Sequence, residues 1–464
     1  MSLATKLATF IERLDVDTAP RAVRERIDAC LLNGYGIALG SENTPYYKVA
    51  GAATLNMEQN STSATLFFTS RKASFSGAML ANAALFHGRA QEDTCGTVHV
   101  GAIVIPMLTA LAESGRYPIA RLKTALLAAY EVAGLFDGLY GRFSAANGFR
   151  ATSSYGILGA ATAAAKFMGL NASQIAAALS TAASFAGGVL QSFVDGTDEW
   201  RYQVGIAAHN GWCAAGLAQA GAIASTRGFE GSAGFVKAFV RVDCDVDGLA
   251  ARLGNEWSAL RVTFKPYPVC AFNQTPVIAA LRLRERLARR SIERVRIRMN
   301  PFETRYAGMN SRGPFNSISG TLMSTPFCVA TTLVHGEPTI EHMTSYNDPR
   351  VTAAMAKVAV ITDESVPNLS AVIEAELSTG ELISHEQKMT PADYSYDWTA
   401  TSQLVRRVGS EQGVDPQSYD RLETAILDLG DGSIEEIVRL FSKRDRSLQQ
   451  ATTRPAYTRG ESAA

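Results

Sequence analysis

Long rows of alanine and leucine broken by glycine run from the start of the chain to about Gly254, and they leave it few ways to fold. LKTALLAAYEVAGLFDGLY, YGILGAATAAAKFMGL and SQIAAALSTAASFAGGVL are the clearest stretches. Alanine and leucine are strong helix formers, and small residues let helix axes approach closely. The expected product is several helices packed around one another, not a single amphipathic layer on a sheet. In NASQ, Asn171 or Ser173 offers an N-cap directly after Gly169, which can end the preceding helix, so these two helices should form a hairpin.

The texture changes after roughly Arg261. IERVRIRMN alternates apolar and polar residues as a strand does, KVAVITD is a short apolar run, and AVIEAELSTGELISHEQK reads as two strands joined by a turn at Ser378, Thr379 and Gly380. With helical segments such as NQTPVIAALRLRERLA between them, this part is expected to be α+β, an antiparallel sheet backed by helices. From about Ser402 the pattern returns to helix in RLETAILDLGDGSIEEIVRLF. The fold class is therefore mainly α with a smaller α+β domain. Its segments are 1–264 helical, 265–400 α+β, 401–450 helical again, and a polar tail at 451–464.

A chain of 464 residues is too long for one compact core and suggests two or three domains. Its 44 basic and 44 acidic residues cancel, which argues against a nucleic-acid binder or a polybasic membrane anchor. The N-terminal MSLATKLATFIERLDVD lacks the apolar block of a signal peptide, and no uninterrupted apolar stretch is long enough to span a bilayer. A soluble, cytoplasmic protein is expected. Its six cysteines show no CxxC spacing, so neither a disulfide framework nor a metal motif is legible.

Chemistry is expected in HGRAQEDTCGTVHVG, His87 to Gly101, a polar island between apolar helical segments that gains a fold nothing obvious. The structural alternative is an interhelical loop in which Asp93 or Thr94 caps the helix beginning near Gly101. Other motifs carry less. GYGIALG follows a helical segment, IDACLLN, and not the strand that a dinucleotide loop requires. Cys95 and His99 stand one helical turn apart, but no second pair completes a tetrahedral metal set. No metal is expected.

Taken in order, the distinctive stretches resemble the MmgE/PrpD family. HGRAQEDT is similar to the family's HALDFDDT, followed by His99 at its HP histidine. GFRATSSYG is similar to GFHPT with a following glycine, EWRYQVGIAAHNG to a lysine upstream of GxAA, and RGFEGSAGF to GFTGP. FKPYPVC is similar to KPYPSC and STPFCVA to SLPYAVA. The match runs from about residue 20 to about residue 440 in consistent order.

That resemblance implies a large helical domain completed by the C-terminal helices, with the α+β domain inserted and the active site between them. It also implies a homodimer, no metal or organic cofactor, and chemistry of the kind found in 2-methylcitrate dehydratase, cis-aconitate decarboxylase or iminodisuccinate epimerase. Three departures matter: the first Asp of the motif is Ala90, the GFHPT histidine is Arg150, and the lysine before GxAA is Arg201. A carboxylate is lost and two permanent cations stand at the pocket, so it should hold more carboxylate and shuttle fewer protons.

His99 and Lys265 are the best surviving pair for proton transfer, the lysine with its pKa lowered by neighbouring positive charge. Arg150 and Arg201 are expected to hold substrate carboxylates, unless they bridge helices through Asp198 or Glu199. Thr94, Asp93 and His87 are further candidates for substrate binding, His87 evenly balanced against a structural role. Tyr155 either donates to substrate or packs in the core. Lys265 has an exposed linker lysine as its alternative. Cys270 is expected to be structural, and His209, His335, His342 and His385 receive no role.

The reading preferred from these residues is a cofactor-independent epimerase of a polycarboxylate partner, iminodisuccinate-like. The alternatives are dehydration or decarboxylation with Asp93 or Glu92 as the acid, and a non-catalytic polycarboxylate-binding homologue.

Overall fold

The computed structural model describes residues 1–58, 61–287, 290–430 and 432–442. The polar tail at 451–464 lies outside them.

Eleven helices build the first half: α1 (Leu3–Arg13), α2 (Arg21–Leu39), α3 (Tyr46–Met57), α4 (Phe75–Phe86), α5 (Val100–Ala112), α6 (Leu122–Ala146), α7 (Ala151–Ser154), α8 (Gly156–Met168), α9 (Ala172–Ser184), α10 (Gln191–Asp195) and α11 (Glu199–Gln219). The alanine-rich α8 is the middle of the bundle. Every one of its residues except Lys166 is buried, against α6, α9 and α11. A helix apolar on all sides must be covered on all sides, which is why its neighbours form a ring and not a layer. Gly169 ends α8 in the left-handed conformation, and Asn171 caps α9 in a box with Gln174, the hairpin expected from NASQ.

Two short antiparallel ladders interrupt the helices: β1 (Ala64–Thr65) with β2 (Lys72–Ala73), and β3 (Thr94–Cys95) with β4 (Val262–Thr263). Neither is anticipated by periodicity, because two-residue strands carry none. The second ladder joins segments far apart in sequence and matters for the site.

After α12 (Val246–Arg252) and α13 (Gln274–Leu287), a four-stranded sheet forms from β5 (Ile292–Met299), β6 (Val358–Thr362), β7 (Ser370–Leu377) and β8 (Leu382–Lys388), in the order β6-β5-β7-β8. On β5 the alternation is realised: Val295, Ile297 and Met299 are buried. Arg294 and Arg296 meet Glu376 and Glu374 of β7, and Arg298 meets Asp363 at 2.8 Å. The sheet differs from the antiparallel expectation in one pairing. β5 and β6 run parallel, because the helices between residues 301 and 357 form a crossover in place of a hairpin. Helix α13 and the helix Thr325–His335 pack against the sheet.

The helix Trp398–Glu411 returns to the bundle and lies on α2, where a Cβ on Gly36 would stand 2.5 Å from the Cβ of Val405. The protein is thus mainly helical, with a smaller α+β part near its C-terminus. Among the described residues no helix is long and apolar enough to cross a membrane.

Candidate active site

Helix α4 ends at His87, and the loop that follows reaches α5 through β3, with His99 as the residue preceding the α5 helix. Neither Asp93 nor Thr94 caps α5. Pairing of Thr94 with Thr263 and of Cys95 with Val262 carries the loop against the segment leading to Lys265. The ladder therefore brings Lys265 to Glu92, although 173 positions separate them.

Three side chains converge on one oxygen of Glu92. Lys265 Nζ donates to Oε1 at 3.2 Å, His87 Nδ1 contacts it at 2.9 Å, and His99 Nδ1 lies 2.6 Å from it, off the line of an ideal hydrogen bond. Glu92 itself has no exposed surface. Burial by itself raises its carboxyl, but Lys265, then His87 and His99, outweigh that and hold it well below the usual carboxylate range.

An imidazole nitrogen this close to a carboxylate oxygen carries its proton there, so both histidines present the other nitrogen as a lone pair. On His87 that lone pair accepts from Arg150 Nη2 at 2.8 Å. On His99 the Nδ1 atom is buried while the side chain keeps 17% exposure, which turns its remaining ring edge to the cavity. Burial, then Lys265, lowers the His99 pKa to about 4, against the pull of Glu92, so the ring is neutral at pH 7.

The cavity is narrow, about 50 Å³, and is walled from both parts of the chain. Ala90, Thr94, His99 and Arg150 come from the helical bundle, and Lys265, Cys270 and Tyr306 from the other side. Phe193, Trp200, Phe272, Leu322 and Met323 make the rest of the wall mostly apolar. Larger surface grooves lie elsewhere and hold none of the converging groups.

Helix α6 braces this arrangement. Asp137 accepts from the backbone N–H and hydroxyl of Thr97 at 3.0 and 2.5 Å. Glu131 accepts from the N–H groups of Ser258 and Ala259, just before β4. Gly96 has φ of +65°, and a Cβ there would stand 1.9 Å from Asp137 Oδ2, so the turn requires glycine.

Several expectations are corrected. Arg201 does not line the cavity. It is fully buried, donates to the carbonyls of His87 and Gly88 at 2.5 and 3.3 Å, and stacks on Trp200 at 3.8 Å. Its link to Asp198 passes through Ser319 and is not an ion pair. It holds the backbone that presents His87.

Asp93 points away from the cavity and accepts from Tyr130. Burial raises its carboxyl to about 7, against the effect of the Tyr130 hydrogen bond. Tyr155 stands among Phe136 and Phe235, in the core. His87 lies behind the cavity wall, between Glu92 and Arg150, with its ring against Trp200. Lys265 is buried and faces a carboxylate, neither an exposed linker residue nor a neighbour of the arginines. Thr94 does line the cavity, its hydroxyl 2.9 Å from that of Thr263, and Arg150 does so while also donating to the Trp200 carbonyl. Cys270, expected to be structural, is a wall residue whose thiol burial pushes up to about 11.

Sequence reasoning missed the central place of Glu92, treated there only as a substitute acid. It also missed a strap beside it, buried at Arg89 and Gln91 and reaching the surface at Arg407 and Glu411. Arg89 pairs with Glu411 of the helix Trp398–Glu411 and donates to Gln91 at 2.8 Å. Gln91 and Arg407 in turn donate to the carbonyl of Pro266, next to Lys265, at 3.0 and 2.5 Å. The detectable signal was an arginine and a glutamine inside a segment with no exposed face.

His87, Glu92 and His99 have the composition of a metal centre, with ligand atoms within 4.8 Å of one another. The nitrogen–oxygen contacts at 2.6 and 2.9 Å are direct hydrogen-bonding distances. With Lys265 and Arg150 each in contact with a member of the trio, a cation would be repelled. The residues fit a proton-holding network better than a metal ion.

Two family domains match this chain: the MmgE/PrpD N-terminal domain over residues 5–245 and the MmgE/PrpD C-terminal domain over residues 267–393. No curated protein matches it.

Proposed function

Because the chain belongs to the MmgE/PrpD family, we propose that it is an enzyme moving a proton at a carbon beside a carboxylate, and that it epimerises a polycarboxylate such as iminodisuccinate. One observation carries this reading. Among the described residues lining the cavity, His99 is a neutral imidazole that can accept a proton and Lys265 an amine that donates one, to Glu92. The Cys270 thiol and Tyr306 phenol are pushed up by burial, and Arg150 stays a cation.

In this mechanism the neutral His99 takes the proton. The C–H electron pair moves into the adjoining carboxylate, whose growing charge is met by Arg150 and Lys265. Lys265 then delivers a proton to the opposite face of the same carbon, closing a C–H bond with inverted configuration. The reverse reaction exchanges the two roles. Glu92 touches both and stays ionised, and proton exchange with water returns His99 to its neutral form and Lys265 to the ammonium before the next forward turnover. Arg150, Lys265 and Glu92 together leave one net positive charge at the cavity, which favours an anionic substrate.

Dehydration with Glu92 or Asp93 as the acid is less well supported. Glu92 is held ionised, and Asp93 is bound to Tyr130 on the far side. A homodimer belongs to the proposal on family grounds alone, and a cytoplasmic location on the character of the sequence.

Proton NMR in deuterium oxide tests the reading, with iminodisuccinate stereoisomers, methylcitrate and cis-aconitate offered in parallel. Deuterium entering beside a carboxylate with inversion, lost in His99→Ala and Lys265→Ala, is the expected result. An olefinic product would make the enzyme a dehydratase with Lys265 as the acid, release of carbon dioxide would make it a decarboxylase, and absence of any exchange would leave a binder.

A further inference from the structure

The cavity, at about 50 Å³ and open on one side, has room for a few waters and not for the whole of a molecule with several carboxylates. A groove of about 830 Å³ shares one wall with it, Tyr306. That groove also crosses the junction of the two parts of the chain. Arg142, Asn147 and Gln191 come from the bundle, while Phe302 and Arg305 precede and flank Tyr306 on the other side. The Tyr306 ring is held among Phe193, Phe272 and Phe302, with centroids 6.2, 5.1 and 6.5 Å away.

Charge distinguishes this groove from the other large ones. Arg142 and Arg305 line it, no Asp or Glu does, and neither arginine forms an ion pair among the described residues. The groove along Lys72 and Arg439 contains Glu113 and Glu435, which pair with them at 3.9 and 3.3 Å. The groove along Lys6 and Arg13 contains Asp15, and Lys6 pairs with Asp247. Of these three grooves, the one abutting the cavity has arginines from both sides of the junction and no acidic residue in its wall, whereas in the Glu113 groove Arg116 stands beside two glutamates.

We propose that Arg142 and Arg305 form a carboxylate-docking vestibule: the substrate's distal carboxylates bind there, while the reacting carbon and its own carboxylate pass Tyr306 to reach His99 and Lys265. The vestibule selects extended polycarboxylates over monocarboxylates and raises the rate of productive encounter by electrostatic attraction. This inference rests on the polycarboxylate reading, and it assigns to the groove a binding role distinct from proton transfer.

The test uses Arg142→Glu, Arg305→Glu and the double variant, with Arg116→Glu in the Glu113 groove as control. Steady-state epimerisation of iminodisuccinate at low and high sodium chloride should show kcat/KM reduced about tenfold or more in the double variant. Its salt dependence should flatten, while kcat stays within about twofold. Where a glutamate variant fails to fold, the Arg→Gln pair should shift kcat/KM in the same direction. An unchanged kcat/KM and salt slope, or an equal loss in Arg116→Glu, overturns the vestibule.

Calorimetric titration with citrate separates this inference from the functional reading. If the wild-type protein epimerises nothing but loses citrate affinity about tenfold on the double substitution, the vestibule stands and the epimerase falls. Citrate affinity equal in wild type and double variant removes the vestibule whatever the activity.

Discussion

A carboxylate without exposed surface costs several kcal/mol to keep ionised unless cations and donors meet it, and Glu92 is met by Lys265 and two imidazoles on a single oxygen. The consequence for His99 is a ring that stays neutral far into acid. Its pKa of about 4 predicts that the acid limb of kcat/KM, in a pH–rate profile of the free enzyme, lies near pH 4 and not near the 6.5 of an ordinary histidine.

Stability follows the same groups. The folded pKa values of His99 and Glu92 are depressed, so their contribution is present above the unfolded values and is lost as pH falls through the folded ones. Asp93 has the opposite sign. Its folded value is raised from 3.8 to about 7, so its contribution is present below pH 3.8 and lost as pH rises through 7. Asp93→Asn keeps an acceptor for Tyr130 without the charge. Its Tm should exceed that of the wild type by several degrees at pH 8, and the gap should close towards pH 4. A constant gap across that range would count against a buried, titrating Asp93.

At the scale of elements, the short β3–β4 ladder does what neither strand could do alone: it brings the loop of His99 and the segment of Lys265 together. Asp137 and Glu131 of α6 fasten the two sides of that junction. Gly96→Ala would impose a left-handed strain of about 1–3 kcal/mol and drive a methyl group into Asp137. The expected outcome is a lower Tm together with a loss of about tenfold or more in kcat, because His99 lies three residues further on. Full activity with a lowered Tm would mean that the loop positions nothing.

Across the whole molecule, segments far apart in the chain close on each other, since the helix Trp398–Glu411 covers α2 and supplies Glu411 and Arg407 to the strap behind Lys265. Gly36→Ala places a methyl group 2.5 Å from the Val405 Cβ and should destabilise the protein by about 1–3 kcal/mol. Chemical denaturation measures this directly. Because the strap reaches Pro266, the same variant should also lower kcat, an effect far larger than its distance from His99 would suggest in a molecule without that connection.

What the amino-acid sequence determined by itself is what depends on neighbours along the chain. The helical bundle is legible from rows of alanine and leucine, the start of α9 from NASQ, and β5, β7 and β8 from alternation. The polar island at 87–101 could be marked because a break in an apolar pattern is also local. The tertiary structure alone decided the direction of each side chain. It turned Arg201 to backbone carbonyls, Asp93 to Tyr130 and Tyr155 into the aromatic core, and it made Glu92 the meeting point of His87, His99 and Lys265. Those outcomes rest on contacts between residues often far apart in sequence, and on the cost of burying a charge without a partner. Neither leaves a periodic trace in the chain.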